Sequence, residues 1–192
     1  MLNNKLFLSL LMLFSTLTTY AYDFVSDGIY YSFYNKTEHT CKVVASASNS
    51  KYSGDIIIPQ HVKYQEIEYS VTKIGDNAFE NCISLQTITL PISCTEIGNN
   101  AFKGCTDIQA IELPSSIKSI GYYAFANCTD LQSITIPSGI TKISNHTFSG
   151  CTDLKTISIP ASVTEIETRA FENCTKLRTI SLPPLLFVSK SL

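Results

Sequence analysis

Apolar residues recur every 23 positions from residue 71 onward, and several of these positions carry the same side chain each time. Three columns are invariant: Phe79, Phe102, Phe125, Phe148 and Phe171; Cys82, Cys105, Cys128, Cys151 and Cys174; Pro91, Pro114, Pro137, Pro160 and Pro183. Further columns at the same spacing hold isoleucine or leucine. The chain divides without insertions into five units, 71–93, 94–116, 117–139, 140–162 and 163–185. A period of this length indicates units that stack on one another.

Each unit contains, near its end, a segment whose spacing predicts a short β-strand. In the first unit it runs from Leu85 to Leu90 with the L-x-x-I-x-L spacing of a leucine-rich repeat strand. Thr87 and Thr89 alternate with apolar residues, which predicts one buried and one solvated face. The strand should end before Pro91, because proline has no backbone N–H to donate to a neighbouring strand.

The rest of each unit predicts two further sides of a coil. Val71 to Ile74 is a second extended segment that turns at Gly75, and Ala78 to Cys82 is expected to form a short helical turn. A single coil cannot bury its apolar face alone, whereas stacked coils share a continuous core. The predicted fold is therefore a β-rich leucine-rich repeat solenoid of right-handed coils, with short parallel strands and short helical turns.

These units resemble a known family. The segments IGDNAFENCISLQTITLP, IGNNAFKGCTDIQAIELP and IGYYAFANCTDLQSITIP are similar to the repeats of BspA-like bacterial surface leucine-rich repeat proteins. The stretch before the repeats, with Asp23-Phe24 through Gly28-Ile29-Tyr30-Tyr31 and with Tyr52 to Pro59, resembles the leader often found on these proteins. The resemblance implies a secreted or cell-surface solenoid that acts in adhesion and host contact.

The segment 1–21 has the layout of a secretory signal peptide. Lys5 supplies a positive charge, Leu6 to Leu17 form the apolar run, and Thr19-Tyr20-Ala21 offers small residues for cleavage after Ala21. The apolar run is shorter than the roughly 20 residues that a membrane-spanning helix needs. We therefore expect an exported chain, secreted or at the cell surface, without a membrane-spanning segment.

Residues 22–70 are predicted to form a β-rich N-terminal cap. Asp27-Gly28 between two apolar stretches is a hairpin signal. A second hairpin is expected within Gln60 to Ser70, over the first coil. The cap would shield the end of the core, as the terminal unit of a repeat protein must.

Residues 186–192 form a truncated or irregular tail. The repeat predicts apolar residues at positions 186 and 189, but Pro184 interrupts the pattern and Ser189 is polar. An uncapped last coil would expose a strand edge, which invites end-to-end self-association. The alternative is a tail that folds back as a cap.

The net charge and the cysteine spacing limit the ligands and reactions that the chain is expected to support. A net charge of −2, with 14 basic residues scattered along the chain, gives no electrostatic footprint for nucleic acid. The five cysteines of the repeat column would stack about 4.8 Å apart, too far for disulfides between neighbouring coils, and are expected to be free buried thiols. The column lacks the paired C-x2-C spacing of zinc sites, and no catalytic constellation is evident. We therefore expect no cofactor, no metal and no enzymatic activity.

Two surfaces are candidates for ligand binding. The first comprises outward strand residues and two neighbouring basic residues: Thr87, Thr89, Glu112, Ser133, Thr135, Thr156, Ser158, Lys155 and Arg178. The second is the aromatic pair Tyr122-Tyr123 on an otherwise polar turn, since exposed tyrosines often anchor interfaces. The alternatives are a merely solvated β-face and tyrosines that pack over the neighbouring coil.

The predicted function is an extracellular binding module for a protein or glycan ligand, with host matrix as one candidate. The alternative is a passive repeat array, or a remnant of a longer surface protein, without a ligand of its own.

Overall fold

The computed structural model describes residues 22–47 and 51–181 and the backbone of a short strand at Phe187–Val188. The predicted signal peptide and most of the predicted tail lie outside the described residues. The strands are β1 (Phe24–Ser26), β2 (Ile29–Asn35), β3 (Thr40–Val43), β4 (Gly54–Ile57), β5 (His61–Tyr64), β6 (Ile67–Ile74), β7 (Leu85–Thr89), β8 (Glu96–Ile97), β9 (Ala110–Ile111), β10 (Ser119–Ile120), β11 (Ser133–Thr135), β12 (Lys142–Ile143), β13 (Thr156–Ser158), β14 (Glu165–Ile166), β15 (Thr179–Ser181) and β16 (Phe187–Val188).

Both predicted hairpins are confirmed. Strands β1 and β2 pair antiparallel around Asp27 and Gly28, whose φ angles of 48° and 77° are those that a two-residue type I′ turn requires. Strands β5 and β6 pair in the same way around Gln65 and Glu66, with φ angles of 48° and 65°. Strand β3 then pairs with β6 in parallel, which joins the N-terminal strands to the repeats.

The repeats stack through two sets of parallel strands. The first set has the orders β3, β6, β8, β10 and β12, β14, β16, and the second has the orders β4, β7 and β9, β11, β13, β15. Ile111, Ile134, Ile157 and Ile180 lie opposite one another in the second set, so each coil pairs with the next in the register of the sequence repeat. The predicted short parallel strands are thereby confirmed.

The third side of each coil does not form the short helical turn that we predicted. No segment of the described chain is helical, and Ala78 to Cys82 forms consecutive turns instead. The Phe79 N–H donates to the Ala101 carbonyl of the next coil at 2.7 Å, whereas the Ala78 N–H donates within its own coil. Asn77 and Asn81 have φ angles of 56° and 57°, in the left-handed region, which a right-handed helical turn cannot include.

The phenylalanine column forms a continuous stack in the core. Adjacent rings lie 5.1–5.6 Å apart between centroids and are parallel to within 7°. Tyr52 extends the stack beyond Phe79, with a centroid distance of 4.8 Å. Each inner ring is buried against two others, so the column contributes both hydrophobic burial and dispersion contacts.

The cysteine column is hydrogen-bonded to the phenylalanine column. The Sγ atoms of Cys105 and Cys128 each donate to the carbonyl oxygen of the phenylalanine one coil back, Phe79 and Phe102, at 3.1 Å. All seven cysteines are free, including the five of the repeat column for which free thiols were predicted, and six of the seven are buried. A thiol at this position therefore satisfies a carbonyl as well as filling space.

The C-terminal strand pairs with a changed register. Val188 lies opposite Ile166, which is one position short of a full repeat. The ladder position that an unbroken repeat would give to the polar Ser189 therefore falls to Val188. The self-association expected through an uncapped last coil stays a prediction.

Candidate binding surface

The outward residues of β7, β9, β11, β13 and β15 form one continuous exposed surface, here called the outer strip. Its members are Thr87, Thr89, Ala110, Glu112, Ser133, Thr135, Thr156, Ser158, Thr179 and Ser181, and all are exposed. Ser133 lies opposite Thr156 and Thr135 opposite Ser158, so the strip has two columns of side chains that run across the coils. The structure thus brings the predicted strand candidates together on one face.

Two classes of serine and threonine hydroxyl stand out on the coils, beside others such as Thr147, which bonds within its own coil, and Ser162, which is buried without a hydrogen-bond partner within the described residues. The first class bonds to the backbone of the preceding coil: the Oγ of Ser93 donates to the Val71 carbonyl at 2.7 Å, and the Oγ of Ser116 donates to the Cys94 carbonyl at 2.6 Å. Hydroxyls with carbonyl partners of this kind, one coil back, recur at Thr95, Thr106, Ser144, Thr152, Thr164 and Thr175.

The second class is the outer strip. There Thr87 donates to the Asp55 carboxylate at 2.6 Å, while the other strip hydroxyls make no side-chain hydrogen bond within the described residues. A row of exposed hydroxyls on a rigid ladder offers donors and acceptors to a ligand without breaking any bond that holds the coils together.

Two exposed isoleucines border the first end of the strip. Ile57, on β4, lies opposite Thr89, and Ile92 follows the first repeat strand; each is 72% exposed. Ile92 lines a shallow depression together with Glu112 and Leu113. We did not predict this apolar border, although the inward-outward alternation of the strand before the repeats would have placed Ile57 outside.

Two columns of polar side chains follow the repeat beside the outer strip, and the surface between them is here called the groove. One column, at the start of the repeat strands, is Gln86, Gln109, Gln132, Lys155 and Arg178, and the other, on the preceding turn, is Asp107, Asp130, Asp153 and Lys176. Gln86, Asp107, Gln109 and Asp130 line a depression in its first part. Lys155, Lys176 and Arg178 line a separate depression in its last part. The two predicted basic residues therefore share a site with a third, Lys176, which we did not predict.

The tyrosine turn combines exposure with packing. Tyr122 is 48% and Tyr123 is 37% exposed. The Tyr123 ring stacks on His146 of the next coil, with centroids 4.4 Å apart and planes within 10°. Tyr122 instead lines a shallow depression with Asn145 and Glu167. The packing alternative thus describes Tyr123, and Tyr122 is the more available of the two.

Tyr122 also interrupts a structural ladder. The Asp76 carboxylate accepts the Asn99 N–H at 2.7 Å, and the Asn99 amide oxygen accepts the Tyr122 N–H at 2.9 Å. Tyr122 has no side-chain oxygen at that reach, and the Asn145 N–H donates to Glu167 at 2.9 Å instead. Tyr122 therefore occupies a repeat position at which Asp76 and Asn99 accept a backbone N–H of the next coil.

The repeat unit matches a family model. The model of the BspA type leucine rich repeat region matches residues 55–188 in six copies. The chain belongs to the BspA-type leucine-rich repeat family. No curated protein matches it closely enough to serve as a relative.

Solved leucine-rich repeat structures share the fold of this BspA-type chain. A leucine-rich repeat protein from Bacteroides ovatus is 27% identical (TM-score 0.50), with 87% of this chain and 55% of that chain covered. A leucine rich cell surface protein from Faecalibacterium prausnitzii is 28% identical (TM-score 0.61), with coverage of 82% and 53%. The T. pallidum leucine rich repeat protein is 21% identical (TM-score 0.64), covers 86% of both chains, and shows the fold alone. The chain thus spans about half the length of the first two.

The buried thiols of this BspA-type chain have raised pKa values. Burial raises the pKa of Cys41 to about 12 and the pKa of Cys94 to about 11, and it also raises the pKa of Cys105 and Cys151. A thiol with a raised pKa is a poor nucleophile and a poor metal ligand near neutral pH.

The described residues hold no group of three or more histidine, cysteine, aspartate or glutamate side chains arranged for a metal ion. Within the same part of the chain, no helix is long and apolar enough to span a membrane.

Proposed function

We propose that this BspA-type chain is a secreted or cell-surface binding module that engages a protein or glycan through its outer strip. The observation that carries the proposal is the separation of the two hydroxyl classes. Eight hydroxyls elsewhere on the coils, Ser93 and Ser116 among them, bond to a carbonyl of the preceding coil, whereas those of the outer strip, Thr87 apart, have no partner within the described residues. Repeat proteins bind through extended surfaces of this kind.

Two further observations support the export and the surface location that we propose. The segment 1–21 has the layout of a signal peptide, and one structural neighbour is described as a cell surface protein. Tyr122, exposed on its turn, offers a second contact region for the same ligand. Threonine and serine also suit a solvated β-face, so a passive repeat array is the competing function.

The test is binding of the purified chain to immobilised extracellular-matrix proteins and glycans. Ser158→Ile replaces a hydroxyl of the outer strip with a bulky uncharged side chain. Ser119→Ile is its matched control, because Ser119 is an exposed serine on β10, in the other strand set. Circular dichroism checks that each variant folds.

We expect saturable binding that Ser158→Ile weakens at least tenfold and Ser119→Ile leaves within twofold. Binding that survives Ser158→Ile but is lost in Tyr122→Ala would move the site to the tyrosine turn. Absence of any binding by the folded chain would overturn the proposal in favour of the passive array.

A further inference from the structure

The last part of the groove gathers three cations on two neighbouring coils. The Arg178 N–H donates to the Lys155 carbonyl at 3.0 Å, and Thr156 lies opposite Thr179 in the strand register. Lys155, Lys176 and Arg178 line one depression together with these two threonines. The cluster is therefore built on the rigid ladder of the repeat strands.

Both columns of the groove become basic near its end, the strand column one coil before the turn column. The turn column is aspartate at positions 107, 130 and 153 and then lysine at 176, and the strand column is glutamine at 86, 109 and 132 before it becomes Lys155 and Arg178. The two columns come from different parts of the repeat. A change in both over the last two coils concentrates positive charge at one site.

The charge of this cluster is only partly neutralised within the chain. Lys176 pairs with the Asp153 carboxylate at 2.8 Å. The Lys155 ammonium donates to the neutral amide oxygen of Gln132 at 3.0 Å. Arg178 forms no ion pair within the described residues, so two positive charges remain for a ligand.

The side chains around the cations identify the class of ligand. A guanidinium group presents a planar fork that fits a carboxylate or sulfate, and an ammonium group adds a point charge beside it. The hydroxyls of Thr156 and Thr179 make no side-chain hydrogen bond within the described residues and can bond to sugar hydroxyls. The lining has no aromatic or aliphatic anchor of the kind that a protein partner fills.

We propose that Lys155, Lys176 and Arg178 form a binding site for an anionic polysaccharide that carries sulfate or carboxylate groups. The proposal rests on the proposed function and names a ligand class for one end of the same surface. The polymer would lie along the groove across successive coils, about 4.8 Å apart, with its anionic groups on the cations and its hydroxyls on the threonines.

The test measures binding of the purified chain to heparin, to desulfated heparin and to a polyaspartate peptide. The groove variant is Lys155→Gln/Lys176→Gln/Arg178→Gln, because glutamine already occupies the strand column in three earlier coils. The control variant Lys36→Gln/Lys63→Gln/Lys118→Gln removes three exposed charges elsewhere. Circular dichroism verifies the fold of both variants.

We expect heparin to bind, the groove variant to lose at least tenfold in affinity, and the control variant to lose less than twofold. The affinity should also fall as NaCl is raised, because exposed charge pairs are screened. Equal losses in the two variants would mean attraction to net charge and would overturn the site.

Two further outcomes would also overturn the proposal. Equal binding of polyaspartate would indicate an acidic protein segment as the ligand. Failure to bind heparin by a chain that binds a matrix protein would reject the polysaccharide site and leave the proposed function intact. Failure to bind any ligand tested would reject both.

Discussion

The interior of the coils and the outer strip follow the same 23-residue period but differ in how strictly they repeat. Every coil places phenylalanine in the stack, and the ring planes agree to within 7°. The outer strip varies among threonine, serine, alanine and glutamate along the same coils. Each phenylalanine ring contacts the ring of the next coil, so a change in one coil also alters the packing of its neighbours. An outward side chain faces water and is free to differ.

Among interior substitutions, those in the phenylalanine stack should lower the stability most, relative to substitutions in the outer strip. Phe125→Ala removes a ring buried between Phe102 and Phe148, and we expect it to destabilise the chain by about 3–5 kcal/mol, the range for a large core truncation. Thr135→Ala, on the outer strip of the same unit, should change the free energy of unfolding by less than about 0.5 kcal/mol. Urea denaturation followed by circular dichroism measures both. Similar losses would mean that the strip also holds the coils together.

The interior thiols should make the stability depend on pH. Burial raises the pKa of Cys94 from 9.0 to about 11, so its stabilising contribution is complete below pH 9 and is lost as the pH rises through 11. Other units carry valine or isoleucine at this position, which makes Cys94→Val a conservative change. Near pH 7 we expect the variant to match the parent chain.

The free energies of unfolding of the parent chain and of Cys94→Val should differ at alkaline pH. The parent chain should lose on the order of 2 kcal/mol more than Cys94→Val between pH 8 and pH 11, since one pKa unit corresponds to about 1.4 kcal/mol. Urea midpoints measured under reducing conditions at several pH values give the comparison. Parallel pH profiles would show that the Cys94 thiol is accessible to water and titrates normally.

The same contrast explains what the sequence could predict. The parallel ladders and the Asp27-Gly28 hairpin depend on local apolar spacing and turn chemistry, and both were predicted. The bond from Cys128 to the Phe102 carbonyl, and the turns in place of a helix, depend on how one coil meets the next. No local pattern reports that contact.

The candidate surface was predicted unevenly for a related reason. Alternation along each strand identifies the outward residues of the strip, because it is a property of one strand. Lys176 lies on a turn before the strand, and its place beside Arg178 emerges only when the coils are stacked. Tyr123 has a φ angle of 56° and Arg169 one of 58°, and neither residue type signals the left-handed conformation that both adopt.

The smallest expected effect separates the two classes of hydroxyl. Ser116 donates to the Cys94 carbonyl at 2.6 Å, and Ser133, on the outer strip, has no such partner within the described residues. Ser116→Ala should cost about 1 kcal/mol, the net value of one hydrogen bond, whereas Ser133→Ala should leave stability within about 0.5 kcal/mol. Urea denaturation measures the stability of both variants, and the matrix and glycan assay measures their binding.

The effects of the two substitutions on ligand affinity should have the opposite order. Ser133→Ala should weaken binding, because its hydroxyl is available to a ligand, and Ser116→Ala should leave the affinity of the folded chain unchanged. If both substitutions cost the same stability, the division of hydroxyls into structural and ligand-facing classes is wrong. If Ser133→Ala alters neither stability nor binding, its hydroxyl does no more than meet water, which is what a passive array requires.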